Sequence, residues 1–93
     1  MEEIIWSSWA VKDTKTIYQY IAMDSKYHAN KWLDKINERV SLLLNHPQIG
    51  RVVPEKNNPN IRELLEGDYR IMYRVAAKHI LIYRVMHMAR NFK

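Results

Sequence analysis

Cysteine is missing from all 93 residues. Its absence excludes disulfide frameworks, thiol catalysis and cysteine-ligated zinc together. Also missing is any apolar run near the about 18 residues that a membrane span requires. The opening Met1-Glu2-Glu3-Ile4-Ile5 is acidic where a secretory signal is basic and then apolar. His28, His46 and His79 have no partners at metal-ligand spacing. These absences set the expectation of a soluble, cytoplasmic protein with no metal, no cofactor and no membrane partner.

One sign of charge is missing locally. From residue 69 to the end the chain carries Arg70, Arg74, Lys78, Arg84, Arg90 and Lys93 and no acid. Residues 1–46 balance six basic side chains against six acidic ones, so the net charge of +5 lies entirely in the second half. Four of those six C-terminal cations are arginine, whose planar fork suits bidentate recognition of phosphate or carboxylate. A one-sided cationic surface implies a polyanionic partner, either nucleic acid or an acidic protein segment.

What is present is a globular composition. Hydrophobic residues make up 47 % of the chain, which is the ordinary share for a folded protein. A chain of this length forms one domain over residues 1–93 and buries roughly two-thirds of its unfolded surface. Its three Trp and six Tyr are therefore expected to supply packing volume. Trp6, Trp9 and Trp32 are all assigned to core or helix-hairpin packing on that ground.

The periodicity changes at Pro47. Ile4-Ile5-Trp6 forms a short strand, and Ser7-Ser8 stands in N-cap position for a helix over residues 9–24. Thr14 occupies a place on the apolar face of that helix where a larger side chain is expected. Asp24-Ser25 breaks the helix and caps the next. There Ala29, Trp32, Leu33, Ile36, Val40, Leu43 and Leu44 step by three and four until Asn45-His46-Pro47. So short a break makes the two helices an antiparallel hairpin.

Residues 48–60, with Gly50, Pro54, Asn57-Asn58 and Pro59, make an ordered loop. Residues 61–66 and 69–75 are strands joined by the tight turn Gly67-Asp68. Residues 76–79 turn again, and residues 80–87 form a strand covered on much of both faces. The order β-α-α-β-β-β gives a two-layer α+β fold: a short N-terminal strand, then a helix hairpin packed on a C-terminal antiparallel β-meander. Tyr69, Ile71, Tyr73 and Val75 form one face of the central strand and are expected to meet the helices. Arg70, Met72 and Arg74 then stand on the opposite face, which is expected to be open.

The segments Pro47-x-x-Gly50-Arg51-x-x-Pro54-Glu55, Ile61-Arg62-Glu63-Leu64-x-x-Gly67-x-Tyr69-Arg70-Ile71-x-Tyr73-Arg74-Val75 and Ile80-x-Ile82-x-Arg84-Val85-x-His87-x-x-Arg90 resemble the RelE/ParE superfamily of type II toxin–antitoxin toxins. Trp6-Ser7-x-x-Ala10-x-x-Asp13 and Ile17-x-x-Tyr20-Ile21 fit the same family, so the resemblance covers essentially the whole chain. It is closer to the ParE, or plasmid-stabilisation, branch. That branch implies inhibition of DNA gyrase and neutralisation by a small cognate antitoxin. The RelE branch implies the alternative, ribosome-dependent cleavage of messenger RNA. A plain nucleic-acid-binding domain is the reading from outside the toxin class.

Messenger-RNA cleavage needs a base for the 2′-hydroxyl, cations for the phosphate and an acid for the leaving oxygen. By resemblance, Arg70, His87 and Arg90 are the residues for that task. Arg51, Arg62, Arg70, Arg74 and Arg90 form the wider set expected to meet an anionic target. Against cleavage, the loop offers Lys56 alone where the RelE branch tends to carry a lysine pair. The chain also ends Asn91-Phe92-Lys93 without the Tyr or His often found there. Each residue has an ordinary role beside the functional one. His87 suits a backbone hydrogen bond at a strand end, Arg51 can pair with Glu55 or Glu63, and Arg62 with an acid of its own strand.

Overall fold

The computed structural model describes residues 3–89. Its elements are β1 (Glu3–Trp6), α1 (Ser8–Asp24), α2 (Lys26–Ser41), a 3-10 turn (Leu42–Leu44), β2 (Arg51–Val52), β3 (Ile61–Glu66), β4 (Tyr69–Val75) and β5 (His79–His87). The expected α+β order is present, with one addition: the loop after Pro47 contains the two-residue strand β2.

The helix boundaries follow from caps. The Ser7 hydroxyl accepts the Ala10 N–H at 3.0 Å and donates to the Tyr83 carbonyl, tying the start of α1 to β5. Ser25 both ends α1, through its N–H to the Ile21 carbonyl, and caps α2 by accepting from His28 N–H. Thr14, the misfit of the α1 stripe, donates its hydroxyl to the Ala10 carbonyl at 2.8 Å, so its polar group is satisfied inside the helix. Ala29, Ile36, Val40 and Leu43 are buried as the α2 stripe requires. Leu44 instead faces solvent, because the last turn tightens to 3-10 before Pro47 and the 3.6-residue stripe no longer continues.

The five strands form one sheet in the order β1-β5-β4-β3-β2. β3, β4 and β5 are an antiparallel meander, while β1 pairs with β5 in parallel, Ile5 opposite Leu81. The β3–β4 hairpin is a two-residue turn, with Gly67 at φ 57° supplying the positive torsion. Its register places Leu64 opposite Ile71 and Leu65 opposite Arg70. Ile71, Tyr73, Leu64, Ile80, Ile82 and Val85 pack with Ala10, Ile36, Val40 and Leu43 of the helical layer in one core cluster. Tyr69, Ile71, Tyr73 and Val75 thus lie on the helix side as strand alternation dictates.

A bulge then shifts the phase of β5. Tyr73 stands opposite Ile82 and Met72 opposite Arg84, so the ladder skips Tyr83. Ile82 and Val85 consequently both face the helices although three residues apart. Arg84 is turned toward α1, where its Nε and Nη2 bind the two carboxylate oxygens of Asp13 at 2.8 and 3.1 Å. Asp13 also accepts the Val85 N–H. This pairing fixes the tilt of α1 on the sheet.

Candidate target-binding face

The expectation that the second sheet face is open is only half correct. Arg70 does point away from the helices, yet the residue is 6 % exposed. A second, smaller apolar cluster, Val53, Met72 and Met86 with Ile61 and Tyr83, lies on that face. Residues 53–60 form a strap across it. The physical reason is that Met72 and Met86 present apolar surface there, and covering it is favourable by about 25 cal/mol per Å2.

The strap is built from the rim inward. The Gly50 N–H donates to the Tyr73 hydroxyl at 2.9 Å, and that hydroxyl donates to the Pro47 carbonyl at 2.8 Å. A Cβ on Gly50 would stand 2.5 Å from the Glu63 carbonyl oxygen and 2.7 Å from the Tyr73 hydroxyl, so only glycine fits against β3. Arg62 does not pair with an acid of its strand. Its guanidinium donates to the carbonyls of Pro59 and Gly50 at 3.0 and 2.9 Å and so staples the two ends of the loop. Burial raises the Tyr73 phenol above its ordinary pKa, against smaller lowering effects of the Gly50 hydrogen bond and the Arg62 charge.

Beneath the strap sits a four-membered ion network. Glu63 is 1 % exposed; one carboxylate oxygen accepts Arg70 Nε at 2.6 Å and the other accepts Arg51 Nε at 2.6 Å. The two terminal nitrogens of Arg70 bind Glu55 as a fork, both at 2.9 Å. The Arg70 guanidinium is held charged above its usual range, chiefly by the hydrogen bond to Glu55, with burial opposing and Glu63 adding. Arg51 therefore has Glu63 as partner, one of the two acids expected for it. One charged hydrogen bond to Glu63 and a bidentate pair with Glu55 satisfy Arg70 completely enough to offset much of its desolvation cost.

His87 is exposed and lies on the other side of the sheet from Arg70. Its ring meets Tyr69 edge-on at 5.3 Å, Tyr69 in turn meets Trp32 of α2, and its Nδ1 accepts the Ala89 N–H at 3.0 Å. The strand-end backbone hydrogen bond is present, but the structure does not bring His87 together with Arg70, the residue it is grouped with for RNA cleavage. Arg90 lies outside the described residues. Arg74 is exposed on the second face, beyond the strap.

Trp6 and Trp32 pack against the core, as expected for them. Trp9 does not: it is 61 % exposed, with the Arg84 guanidinium 5.3 Å and Lys12 Nζ 5.9 Å from its ring centroid. It sits on the first turn of α1, where it meets the cations of Lys12 and Arg84 and not the apolar core. Among the described residues no cluster of His, Asp or Glu is arranged to hold a metal ion, and no helix is long and apolar enough to cross a membrane.

Sequence reasoning offered Glu55 and Glu63 as partners of Arg51, but missed Glu55 and Glu63 as the anchors of Arg70 and Asp13 as the anchor of Arg84. The Gly67-Asp68 turn carried the signal for Glu63. A two-residue hairpin places Glu66 opposite Tyr69, and counting back puts Glu63 on the face of Leu65 and Arg70.

The family model for the ParE toxin of the type II toxin–antitoxin system parDE matches residues 4–92. The chain belongs to the ParE toxin family. Among solved structures it is similar to the chromosomal ParDE toxin–antitoxin system of Pseudomonas aeruginosa, with 29 % identity, a TM-score of 0.75, and 94 % of this chain and 96 % of that one covered. The Escherichia coli DinJ–YafQ complex shares the fold at 18 % identity and a TM-score of 0.72 over the whole of both chains. The YoeB dimer of Staphylococcus aureus shares it at 21 % identity and a TM-score of 0.64, with 92 % and 95 % covered. No curated protein matches. The RelE/ParE resemblance and its ParE leaning are thus established, and this ParE family member is a toxin of a type II system.

Proposed function

We propose that this ParE toxin acts by binding and inhibiting DNA gyrase and is neutralised by a cognate antitoxin. The observation that supports protein binding over RNA chemistry is the state of Arg70. Cleavage requires a cation free to take the charge that develops on phosphate. Here that cation is held by Glu63 and Glu55 under the strap, and His87, the acid or base beside it in a nuclease, is on the opposite face. Arg51 is engaged by Glu63, and Arg62 by the carbonyls at the two ends of the loop. Likeness to a ParDE system supports the antitoxin partner.

The test is a paired assay on purified toxin. Gyrase supercoiling is expected to stop while ribosome-bound messages stay intact, and added antitoxin restores supercoiling. Cutting of ribosome-bound messages that Arg70→Ala abolishes, with supercoiling untouched, would overturn the proposal in favour of the nuclease. Tight binding to duplex or single strands with a steep salt slope and no effect on gyrase would point to a nucleic-acid-binding domain.

A further inference from the structure

Six arginines lie among the described residues, and five have partners. Arg39 meets Glu66, Arg51 and Arg70 meet Glu63, Arg84 meets Asp13, and Arg62 is bonded to carbonyls. Arg74 alone has neither hydrogen bond nor ion pair among the described residues. Its place is fixed by β4, whose register continues a cross-strand row of Ile61, Arg74, Leu81 and Ile5. All four stand on the second face: Leu81 alternates with the core residues Ile80 and Ile82, and Ile5 with the core-packed Ile4 and Trp6. The strap covers the other end of this face, over Arg70, Met72 and Met86. Arg74 and Ile5 are exposed, Ile5 by 40 %, and Leu81 is half-buried. Glu3, two residues before Ile5 on β1, makes no ion pair with Arg74 among the described residues.

We infer that the row Ile5–Leu81–Arg74 is the target-docking surface, and that its occupant is an acidic segment of the target protein carrying a carboxylate flanked by aliphatic side chains. The inference rests on the gyrase reading and deepens it. Charge complementarity selects the occupant: a strand-fixed guanidinium between aliphatic neighbours offers a bidentate site whose strength rises once water is excluded. The apolar residues either side supply the water exclusion and the hydrophobic contact. Every other described arginine has its guanidinium engaged within the chain, four of them by carboxylates and Arg62 by backbone carbonyls, so Arg74 is the described arginine left to bind a partner.

The experiment compares supercoiling inhibition by wild-type toxin, Arg74→Glu, Arg74→Lys and Lys26→Glu. The last carries the same change of net charge on the exposed start of α2. All four are checked for equal melting temperature and for antitoxin affinity. Arg74→Glu is expected to weaken inhibition by more than about tenfold, Arg74→Lys by less, and Lys26→Glu hardly at all, with antitoxin affinity kept. Wild-type inhibition that survives Arg74→Glu overturns this inference and leaves the gyrase reading standing. Equal losses for Arg74→Glu and Lys26→Glu overturn it too, as a net-charge effect. Loss of antitoxin affinity with inhibition unchanged would assign the row to the antitoxin instead. A wild-type protein that leaves supercoiling untouched overturns the gyrase reading and this inference with it.

Discussion

The two faces of the sheet are covered by different physics. The helix side is sealed by aliphatic and aromatic side chains, Ile71 and Tyr73 from the sheet against Ile36, Val40 and Leu43 from the hairpin. The strap side has a smaller apolar cluster, and its tightest contacts are ionic: Glu63 between Arg51 and Arg70, with Glu55 closing the fork. The first kind of layer tolerates repacking and fails by cavity. The second fails by leaving a charge buried and unpaired.

The largest expected effect breaks that second layer. Glu63→Ala strands Arg70 with one partner and should cost about 3–5 kcal/mol in denaturant unfolding. Ile71→Ala, on the helix side, should cost about 2–5 kcal/mol through its cavity. The double variant Glu63→Leu with Arg70→Met separates the two mechanisms. It removes both buried charges and leaves Glu55 and Arg51 partly solvated, with side-chain exposures of 31 % and 56 %. It should recover most of the loss. A double variant as unstable as Glu63→Ala would show that packing, and not charge, governs this face.

Much of this contrast was legible in the sequence, and the rest was not for definable reasons. Alternation in residues 69–75 assigned every β4 side chain to its correct face, because a half-buried strand has a period of two and no freedom. The caps at Ser7 and Ser25 were equally local. The strap was hidden because its path depends on Gly50 approaching Tyr73, 23 residues away, and on Arg62 binding carbonyls, which no spacing reveals. Trp9 was misjudged because composition speaks for the average aromatic, while exposure at the start of α1 depends on where the hairpin ends. For the candidate site, the arginines were legible and so was the Arg51–Glu63 pair, but the carboxylates that hold Arg70 and Arg84 were not. An ion pair across strands is visible only once register is fixed.

The close approach at the rim gives the next effect. Gly50→Ala places a methyl against the Glu63 carbonyl and the Tyr73 hydroxyl, so the strap must lift. Overpacking of this kind costs about 1–3 kcal/mol, read as a lower midpoint in urea. If the strap is an independent layer, hydrogen exchange should quicken in residues 50–60 and stay slow in α1 and α2. Uniform acceleration would mean that the two faces unfold as one unit.

Asp13→Asn tests the bond between the layers. The carboxylate holds Arg84 through two oxygens and takes the Val85 N–H as well, with 15 % of its side chain exposed. The amide keeps one acceptor and loses the charge, for an expected cost of about 1–2 kcal/mol. The Trp9 fluorescence should change in parallel, since Arg84 lies over its ring. Unchanged fluorescence with lowered stability would place the loss in the Val85 contact alone.

The smallest effect at neutral pH becomes visible in alkali, and it samples both faces. Burial is the leading cause of a raised phenol pKa at Tyr69 and Tyr73 on the helix side and at Tyr83 on the strap side, each above the ordinary 10.0. Below pH 10 the phenols are protonated in folded and unfolded chains alike, and their contribution is fully present. As pH rises through 10, the unfolded chain releases these protons first, so the unfolded state gains and stability falls. Melting temperature should therefore stay level near about pH 8 and drop as pH rises above about 10. Tyr73→Phe loses the hydrogen bonds to Gly50 and Pro47 and starts from a lower melting temperature. It should then fall less steeply, because one buried phenol no longer titrates. An alkaline slope as steep as that of the wild type would show that the Tyr73 hydroxyl ionises as readily in the folded chain as in the unfolded one, and that the rim of the strap is wet.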